Sequence, residues 1–294
     1  MFYKGKTAYF YVLPLIILVL VFCAYPILYN LYYGFFDWNG ISSPRVFAGM
    51  KNYIQIFQDS VMLTILKNTL IYMVITTFVR MFLGMYLAYL IKSKILFGGF
   101  CRTILYIPAI ISFAVLGVVF SQMLDVNYGE LGWIAKAFGW ENVIKYPPLA
   151  YPQSALACII TIAAWKWTGY NMVLYYSALM SVPDDMTEAA LIDGASRKVI
   201  FFRILFPMLR STHFTTAILC VLGSLKVFDV VWTLTKGGPG TATHFFSSYI
   251  YFRSVSQGRI GYAAALSTIL VILSMAVTIL QIRSYNKPMD AENK

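Results

Sequence analysis

The stretch Glu188–Pro207, EAALIDGASRKVIFFRILFP, interrupts a chain that otherwise consists largely of Leu, Ile, Val, Phe and Tyr. Charged residues, small residues and one glycine replace the apolar sequence, which resumes after Pro207. A loop that merely returned the chain to a membrane would not need this arrangement. The stretch therefore indicates a folded element outside the apolar sequence.

The signals that start and stop helices predict a short first helix in and before this stretch. Ser181 can serve as its N-cap, and Pro183 then falls in the first turn. Asp184 and Asp185 follow, where the positive end of the helix dipole stabilises negative charge. Gly194 stands where a glycine in the left-handed conformation would end the helix.

A second helix is predicted directly after this turn. Ser196 can cap it, it runs over about 197–206, and Pro207 marks its end. The first helix carries Ala189 and Ala190, whose small side chains let another backbone approach closely. From the residues alone, a docking element and a merely structured loop both fit this helix–turn–helix.

The composition places the rest of the chain in a membrane. Of its 294 residues 60% are hydrophobic and 12% are charged, and the mean hydropathy is +0.70. A soluble domain carries roughly a quarter charged residues. Several apolar runs approach the roughly 20 residues needed to cross a bilayer. We therefore expect an all-α polytopic membrane protein with a single transmembrane domain covering 1–294.

Six apolar runs predict six transmembrane helices. Pro14 and Pro26, inside the first run, are tolerated because neighbouring helices re-satisfy the freed backbone groups. The opening stretch falls in the loop 181–210, between the fourth and fifth runs. The predicted spans cover about 10–33, 68–91, 103–124, 153–179, 212–234 and 262–283.

The distribution of Lys and Arg predicts the orientation. With both termini on one side of the membrane, twelve Lys and Arg residues in the loops, termini and span ends lie on that side and eight on the other. The twelve occupy shorter loops, where the positive-inside bias is strongest. Both termini and the loop 181–210 are therefore expected in the cytoplasm, and the formal net charge of +11 requires no nucleic-acid partner. The twelve are Lys4, Lys6, Lys92, Lys94, Arg102, Arg197, Lys198, Arg203, Arg210, Arg283, Lys287 and Lys294.

The opening stretch resembles the cytoplasmic loop of binding-protein-dependent ABC importer permeases. That loop is written Glu-Ala-Ala, three residues, Gly, nine residues, Ile, one residue, Leu, Pro. The one departure is Phe206 in place of Leu, a change between large apolar residues. The matching positions are Glu188, Ala189, Ala190, Gly194, Ile204 and Pro207.

Two further stretches resemble the carbohydrate-uptake branch of that family. Leu225–Thr243, LKVFDVVWTLTKGGPGTAT, is similar to a span end followed by a Gly-Gly-Pro loop. Trp165–Asp185, WKWTGYNMVLYYSALMSVPDD, is similar to the segment that precedes the cytoplasmic loop in maltose-type subunits. The resemblance runs from the second span onward and includes the six-span layout.

The resemblance implies a type I ABC importer permease fold in the cytoplasmic membrane. In this family the loop is a coupling helix that sits in a cleft of a partner ATPase. It further implies a heterodimer with a second permease subunit, two ATP-binding subunits and an extracytoplasmic sugar-binding protein. ATP and magnesium would be bound by the partner ATPase, and no cofactor is expected on this chain. The implied ATPase-coupling residues are Glu188, Ala189, Ala190, Gly194 and Pro207.

Charged residues inside the predicted spans need a reason, because each costs at least roughly 2.5 to 3.5 kcal/mol at the bilayer centre. Arg80, Lys166, Lys226 and Asp229 belong to this group. Lys226 and Asp229 are three residues apart, so on one helix they could form a structural ion pair. Arg80 lies near mid-span, where a subunit interface is a better neighbour than lipid and a role in substrate recognition stays open.

Candidate sugar-binding residues come from the fourth and fifth spans. Sugars are bound by flat aromatic faces together with groups that donate and accept hydrogen bonds. Aromatic residues in a span also serve as packing groups or interface anchors, and that interpretation stays open for each of them. The residues of suitable type are Trp165, Trp167, Tyr170, Asn171, Tyr175, Ser224 and Lys226.

The resemblance narrows this set. In the maltose-type family these two spans line the substrate cavity. One position there is a Tyr in the family, and this chain keeps it as Tyr170. It has Trp167 where the family has Gly, and Lys226 where the family has an amide, so the identity of the sugar stays open. The candidate substrate-binding residues are Tyr170, Trp167, Asn171, Ser224 and Lys226.

The sequence disfavours other functions. No His, Cys and carboxylate residues have metal-ligand spacing, and no two carboxylates share a predicted membrane face, so no metal-binding or catalytic residues are predicted. We expect a permease subunit, and not an enzyme, that imports a di- or oligosaccharide. The same machinery carrying an acidic sugar or glycerol phosphate is the alternative. A stand-alone secondary transporter is less favoured, because it would have no use for the coupling loop.

Overall fold

The computed structural model of this chain describes residues 5–41, 45–93 and 97–292, and most of them are helical. The predicted all-α class is confirmed, because the only sheet in the described residues is one antiparallel pair of strands, β1 (Phe36–Asp37) and β2 (Val46–Phe47). Lys4, Lys94 and Lys294, which contribute to the predicted orientation, lie outside the described ranges. The α-helices are α1 Gly5–Val19, α2 Tyr25–Tyr33, α3 Lys51–Gln58, α4 Ser60–Lys92, α5 Gly98–Ile110, α6 Phe113–Met123, α7 Glu130–Ala137, α8 Glu141–Lys145, α9 Pro152–Met180, α10 Asp184–Ile192, α11 Arg197–Val199, α12 Phe206–Met208, α13 Arg210–Leu225, α14 Asp229–Leu234, α15 Phe246–Tyr251 and α16 Ile260–Glu292, with π-helical turns at Leu20–Ala24, Ile200–Leu205 and Phe252–Ser256.

Three of the predicted spans are single helical segments, long and apolar enough to cross a membrane. They are Tyr11–Tyr33, Ser60–Lys92 and Ile260–Tyr285. The fourth predicted span corresponds to α9, whose 29 residues are also long enough, but the segment Trp165–Asn171 makes this helix less apolar than the other three. The total of six spans stays a prediction.

The third predicted span, 103–124, is wrong as a continuous helix. α5 and α6 meet at a bend of 93°. Ile111 adopts an extended conformation there, and Ser112 caps α6 by accepting a hydrogen bond from the backbone N–H of Val115. The chain therefore stops one helix and starts another within the predicted span.

The fifth predicted span, 212–234, is interrupted as well. α13 ends at Leu225 and α14 begins at Asp229, and Lys226 and Phe228 between them have non-helical backbone angles. α13 is also bent by 74° relative to the helical segment that precedes it. No glycine or proline lies between Leu225 and Asp229, so the usual sequence signal of a break is missing.

The bend between α5 and α6 is stabilised by a buried lysine from another helix. The ammonium group of Lys166, on α9, donates hydrogen bonds to the carbonyl oxygens of Pro108, Ala109 and Ile111 at 3.1, 2.9 and 2.5 Å. It also lies 5.0 Å from the ring centroid of Phe113. Carbonyl groups at a helix end have no partner within that helix. Lys166 is therefore used to satisfy the backbone at the bend.

The chain packs as two compact units, residues 1–62 with 249–273 and residues 63–248 with 274–294. The prediction of one domain covering 1–294 stays a prediction. In the first unit, Asn52 and Ile56 on α3 are buried one helical turn apart. The amide of Asn52 donates to the carbonyl oxygens of Gly34 and Phe36, each at 2.9 Å. These bonds hold α3 against the end of α2 and the start of β1.

A largely buried carboxylate organises another part of the first unit. Oδ2 of Asp59 accepts hydrogen bonds from the hydroxyls of Tyr249 and Tyr262, at 2.7 and 2.8 Å, and from the guanidinium of Arg253 at 2.5 Å. Burial opposes ionisation of Asp59, but these hydrogen bonds and one from the backbone N–H of Val61 outweigh it and lower the pKa of the carboxyl. Burial, together with this carboxylate, raises the pKa of Tyr249 to about 12.

In the second unit, glycines allow close approach between helices. A Cβ atom on Gly169 of α9 would collide with the carbonyl oxygen of Leu105 on α5. A Cβ atom on Gly117 of α6 would collide with the side chain of Thr233 on α14. Small residues at such crossings are the usual solution in membranes, where helices associate through close packing.

Replacing Asp59 should destabilise the first unit in a pH-dependent way. Asp59→Asn removes a charged acceptor of three side-chain hydrogen bonds, so we expect a loss of about 2 kcal/mol in the free energy of unfolding at pH 7. The native-state pKa of Asp59 is lowered, so its contribution is complete above the ordinary carboxyl pKa and is lost as pH falls through the lower native value. Denaturant unfolding in detergent between pH 7 and pH 3 measures both effects.

The matched control for this prediction is Asp37→Asn, which removes an exposed ion pair with Lys51 in the same unit. An exposed pair contributes at most about 1 kcal/mol. Equal losses for the two variants, or an Asp59→Asn effect that is as large at pH 3 as at pH 7, would contradict the role given to Asp59.

Candidate functional site

A cavity of about 440 Å³ lies within the second unit. Helices α4, α9 and α13 contribute to its wall, together with the first residue of α6, the first residue of α14 and the segment between α13 and α14. Both helix interruptions therefore place residues at this cavity. Its lining residues are Tyr72, Arg80, Phe113, Trp167, Tyr170, Asn171, Leu219, Cys220, Gly223, Lys226, Val227, Phe228 and Asp229.

The structure brings four of the five candidate substrate-binding residues together at this cavity: Trp167, Tyr170, Asn171 and Lys226. The fifth, Ser224, does not line it. Ser224 is fully buried, its hydroxyl donates to the carbonyl oxygen of Cys220 at 2.8 Å, and it lies 3.4 Å from the hydroxyl of Thr76. Ser224 therefore packs between α13 and α4.

Three aromatic rings form one part of the cavity wall. Trp167 and Tyr170 meet edge to face, with ring centroids 5.7 Å apart and planes at 83°. Phe113 meets Trp167 at 6.3 Å and 60°. Because the rings hold one another by their edges, their positions are set by packing within the chain. Such a surface can carry the apolar face of a ring-shaped ligand.

The polar groups beside these rings are partly used within the chain. The amide nitrogen of Asn171 donates to the carbonyl oxygen of Trp167 at 3.1 Å, and its amide oxygen accepts from the thiol of Cys220 at 3.8 Å. Tyr170 is half-buried, and Lys226 is exposed at the break between α13 and α14. The wall thus combines aromatic faces with groups that can hydrogen-bond a ligand.

The predicted ion pair between Lys226 and Asp229 is wrong. The salt bridges in the described part of the chain are Lys51–Asp37, Lys92–Asp184 and Arg253–Asp59. The prediction assumed that Lys226 and Asp229 share one continuous helix. The break after Leu225 removes the helical spacing on which it depended.

Two cavity residues on α4 escaped the candidate set. Arg80 and Tyr72 are both buried, with the guanidinium and the phenol oxygen 3.4 Å apart. Tyr72, Thr76 and Arg80 recur every four residues in a largely apolar helix, which places them on one broad face. That spacing is the signal that could have found them.

The opening stretch of the sequence folds as two helices with different surroundings. α10 has no buried residue, whereas Ile200, Phe201 and Leu205 of the following π-helical turn belong to a core cluster with residues of α4 and α9. Gly194 between them has φ +81°, the left-handed conformation predicted for it. Ser196 caps the second helix by accepting from the N–H of Val199, as predicted.

The predicted N-cap Ser181 is wrong, because Ser181 is the C-cap of α9 and donates its hydroxyl to the carbonyl oxygen of Ala178. Pro183 occupies the N-cap position of α10 instead. Pro207 lies within α12, which ends one residue later, at Met208. The carbonyl oxygen of Phe206 lies 2.9 Å from Nε2 of His213, at the bend into α13.

The surface of α10 contains the implied coupling residues and is apolar in part. Glu188 and Ala189 are exposed and Ala190 is half-buried. Three large apolar side chains are also exposed: Met186, Leu191 and Ile192, with exposed fractions of 46%, 55% and 86%. A cluster of exposed apolar side chains on one short helix is typical of a surface that another protein covers.

Lys92 joins α10 to two helices of the cavity wall. Its ammonium group forms a salt bridge with Asp184, the first residue of α10, at 3.0 Å. It also donates to the carbonyl oxygens of Leu179 and Val182 at 2.8 and 3.1 Å. Lys92 is the last residue of α4, and Leu179 lies at the end of α9. One side chain therefore connects the ends of α4 and α9 to the start of α10.

Comparisons with known proteins agree with this arrangement. Residues 80–285, well over half of the chain, match the family described as binding-protein-dependent transport system inner membrane component. A lactose transport system permease protein of Rhizobium radiobacter is 30% identical over 95% of this chain and 94% of its own length. An sn-glycerol-3-phosphate transport system permease protein of Agrobacterium fabrum is 30% identical over the same shares.

The fold also matches a solved structure. It is that of a bacterial alginate ABC transporter in complex with an alginate pentasaccharide-bound periplasmic protein. The TM-score is 0.79 at 22% sequence identity, covering 94% of this chain and 92% of the compared chain.

Removing the Lys92 contacts should loosen α10 on its support. Hydrogen bonds from a charged group contribute about 1.5 to 3 kcal/mol each. We therefore expect Lys92→Met to speed amide hydrogen exchange in residues 184–192 at least about tenfold, because a tenfold change corresponds to about 1.4 kcal/mol of local stability. Exchange in the middle of α9 should stay unchanged. The matched control is Lys51→Met, which removes an exposed ion pair elsewhere, and equal protection of α10 in both variants would refute the anchoring role.

Proposed function

Because the chain belongs to the family of binding-protein-dependent transport system inner membrane components, we propose that it is the permease subunit of an ATP-driven ABC importer for a sugar. The cavity volume of about 440 Å³ lies in the range typical of small-ligand sites. The rings of Trp167 and Tyr170 provide the aromatic surface expected for a sugar. The lactose and glycerol-phosphate permeases, which match this chain over nearly their whole length, support a cargo of this kind, and a di- or oligosaccharide is the cargo we propose.

The observation that carries the proposal is α10, a helix without a buried residue that exposes Met186, Leu191 and Ile192. Nothing in the described chain covers these side chains, yet Lys92 and the Gly194 turn hold the helix in a defined position. A fixed apolar surface of this kind serves a partner. In this family the expected partner is the ATPase, and Glu188, Ala189, Ala190, Gly194 and Pro207 are the proposed coupling residues.

The contacts of Lys92 suggest how force from the partner would reach the cavity. When the two ATPase subunits close on ATP and magnesium, the subunit on which α10 is docked would move this helix. Lys92 would transmit that movement to the ends of α4 and α9. Arg80 on α4 and Trp167 and Tyr170 on α9 line the cavity, so its two sides would move relative to α13. This chain hydrolyses no ATP in the proposal.

The other components follow from the family and from the orientation predicted by the Lys and Arg count. We place both termini and α10 in the cytoplasm of a multi-pass membrane protein. A second permease subunit would complete the pathway as a heterodimer, and the membrane lipid would surround both. An extracytoplasmic sugar-binding protein would deliver the cargo, and the alginate transporter crystallised with its periplasmic protein supports this component.

Two single substitutions of exposed isoleucines, one on α10 and one elsewhere, test the docking surface without disturbing the fold. Ile192→Asp places a charge on the exposed end of α10, where the side chain is 86% exposed. We expect it to abolish co-purification of the ATPase, with at least about a tenfold weaker interaction, because a charge would be buried in an apolar interface. Affinity purification of the complex from membranes, followed by quantification of the ATPase subunit, measures this.

The matched control is Ile41→Asp, in which another exposed isoleucine, 94% exposed and far from α10 in sequence, receives the same charge. It should leave the ATPase bound. Undiminished capture of the ATPase by Ile192→Asp would count against docking through α10. If the chain were a stand-alone secondary transporter, the less favoured alternative, no ATPase would co-purify with the wild type, with Ile192→Asp or with Ile41→Asp.

A further inference from the structure

Arg80 is a buried cation whose charge no carboxylate of the described residues compensates. Its side chain lies on α4, is 5% exposed and lines the cavity. A guanidinium offers five N–H donors. Its hydrogen bonds in the described chain are two long ones, both 3.4 Å, from Nη2 to the hydroxyl of Tyr72 and to the carbonyl oxygen of Ala163. Nε is buried without a hydrogen-bond partner.

Two other cations, the buried Lys166 and the half-buried Arg253, show what compensation looks like in this protein. Lys166 donates to three carbonyl oxygens within 3.1 Å. Arg253 pairs with the Asp59 carboxylate at 2.5 Å. Arg80 has no carboxylate partner among the described residues, although a cation inside a membrane protein normally pairs or faces a functional site. The structure therefore leaves this charge available to something that enters the cavity.

The charges around the cavity point the same way. Arg80 and Lys226 are positive and Asp229 is negative, so the charged lining residues sum to one positive charge. Asp229 forms no salt bridge with Lys226 or Arg80 in the described structure, so both cations are available to a ligand. A neutral sugar would leave this positive charge without a partner in a site of low dielectric constant.

We propose that the cavity binds an anionic sugar, one that carries a carboxylate or a phosphate group, and that Arg80 is the residue that recognises this group. This rests on the proposed sugar-permease function and specifies its substrate class. The planar guanidinium matches the oxygens of both groups, and hydrogen bonds between ions are about twice as strong as neutral ones. Trp167 and Tyr170 hold the sugar ring, while Arg80 discriminates between charged and neutral cargo.

The test uses the complete transporter, with its ATPase subunits, in lipid nanodiscs. Binding of three probes is measured by equilibrium dialysis: digalacturonate, which carries carboxylates, sucrose 6-phosphate, which carries a phosphate, and neutral galactobiose. We expect at least one anionic probe to bind at least tenfold more tightly than galactobiose. The anionic probe that binds identifies the group that Arg80 prefers, and raised salt should weaken its binding more than that of the neutral probe.

Variants assign the preference to Arg80. Arg80→Met should reduce the anionic preference at least tenfold without weakening galactobiose binding, and Arg80→Lys, which keeps the charge but loses the planar group, should retain part of it. If Arg80→Met fails to fold, the comparison of Arg80→Lys with wild type still tests the claim, because a structural role alone would change all three probes equally. Arg102→Met, which removes an exposed cation outside the cavity, should change none of the affinities.

The outcomes separate this inference from the function on which it rests. Equal binding of galactobiose and both anionic probes, or an anionic preference that survives Arg80→Met, overturns the role of Arg80 and leaves a sugar permease. Binding of none of the three probes by a complex that retains its ATPase counts against the sugar cargo itself, and the anionic site falls with it.

Discussion

The arrangement of the second unit depends on the hydrogen bonds from Lys166. Its ammonium group satisfies three carbonyl oxygens at the bend between α5 and α6. A helix that stops inside a membrane exposes carbonyl groups, and each unsatisfied group costs several kcal/mol in lipid. Lys166 supplies three donors to Pro108, Ala109 and Ile111. The bend can therefore exist, and Phe113 at the start of α6 can form part of the cavity wall.

The same chemistry recurs at the C-terminal end of α9. There Lys92 donates to the carbonyl oxygens of Leu179 and Val182 and pairs with Asp184 of α10. One lysine thus supports the interruption beside the cavity, and the other fixes the exposed helix to the ends of the cavity-lining helices. α9 takes part in both contacts, through Lys166 at its middle and Leu179 near its end. It is the element through which docking at α10 and binding at the cavity would be coupled.

The sequence predicts the elements whose signals are local, and it fails where the signal lies elsewhere in the chain. Gly194 and Ser196 follow from helix-capping rules, because a left-handed residue and an N-cap act within a single turn. The bend after Ile110 depends on Lys166, more than fifty residues further on, and the break after Leu225 carries no glycine or proline. The predicted Lys226–Asp229 pair is wrong because this unsignalled break removes the helical spacing between the two residues.

The candidate site shows the same division. Trp167, Tyr170 and Asn171 are predictable as cavity residues, because their residue types and close spacing on one helix favour a ligand site, and all three line the cavity. Ser224 was chosen by type alone, and helical geometry turns it toward α4. Arg80 was recognised as unusual, but only the structure shows that no carboxylate of the described chain pairs with it.

The central claim, that α10 couples the cavity to a partner ATPase, can be tested by accessibility at the cavity. Gly223 lines it in open space, so a single cysteine there, with Cys23, Cys101, Cys158 and Cys220 replaced, reports access to a membrane-impermeant thiol reagent. In the reconstituted complex, trapping the ATPase with a non-hydrolysable ATP analogue should change the labelling rate from one side at least about tenfold, as alternating access requires. An unchanged rate in a complex that binds the nucleotide would contradict the account.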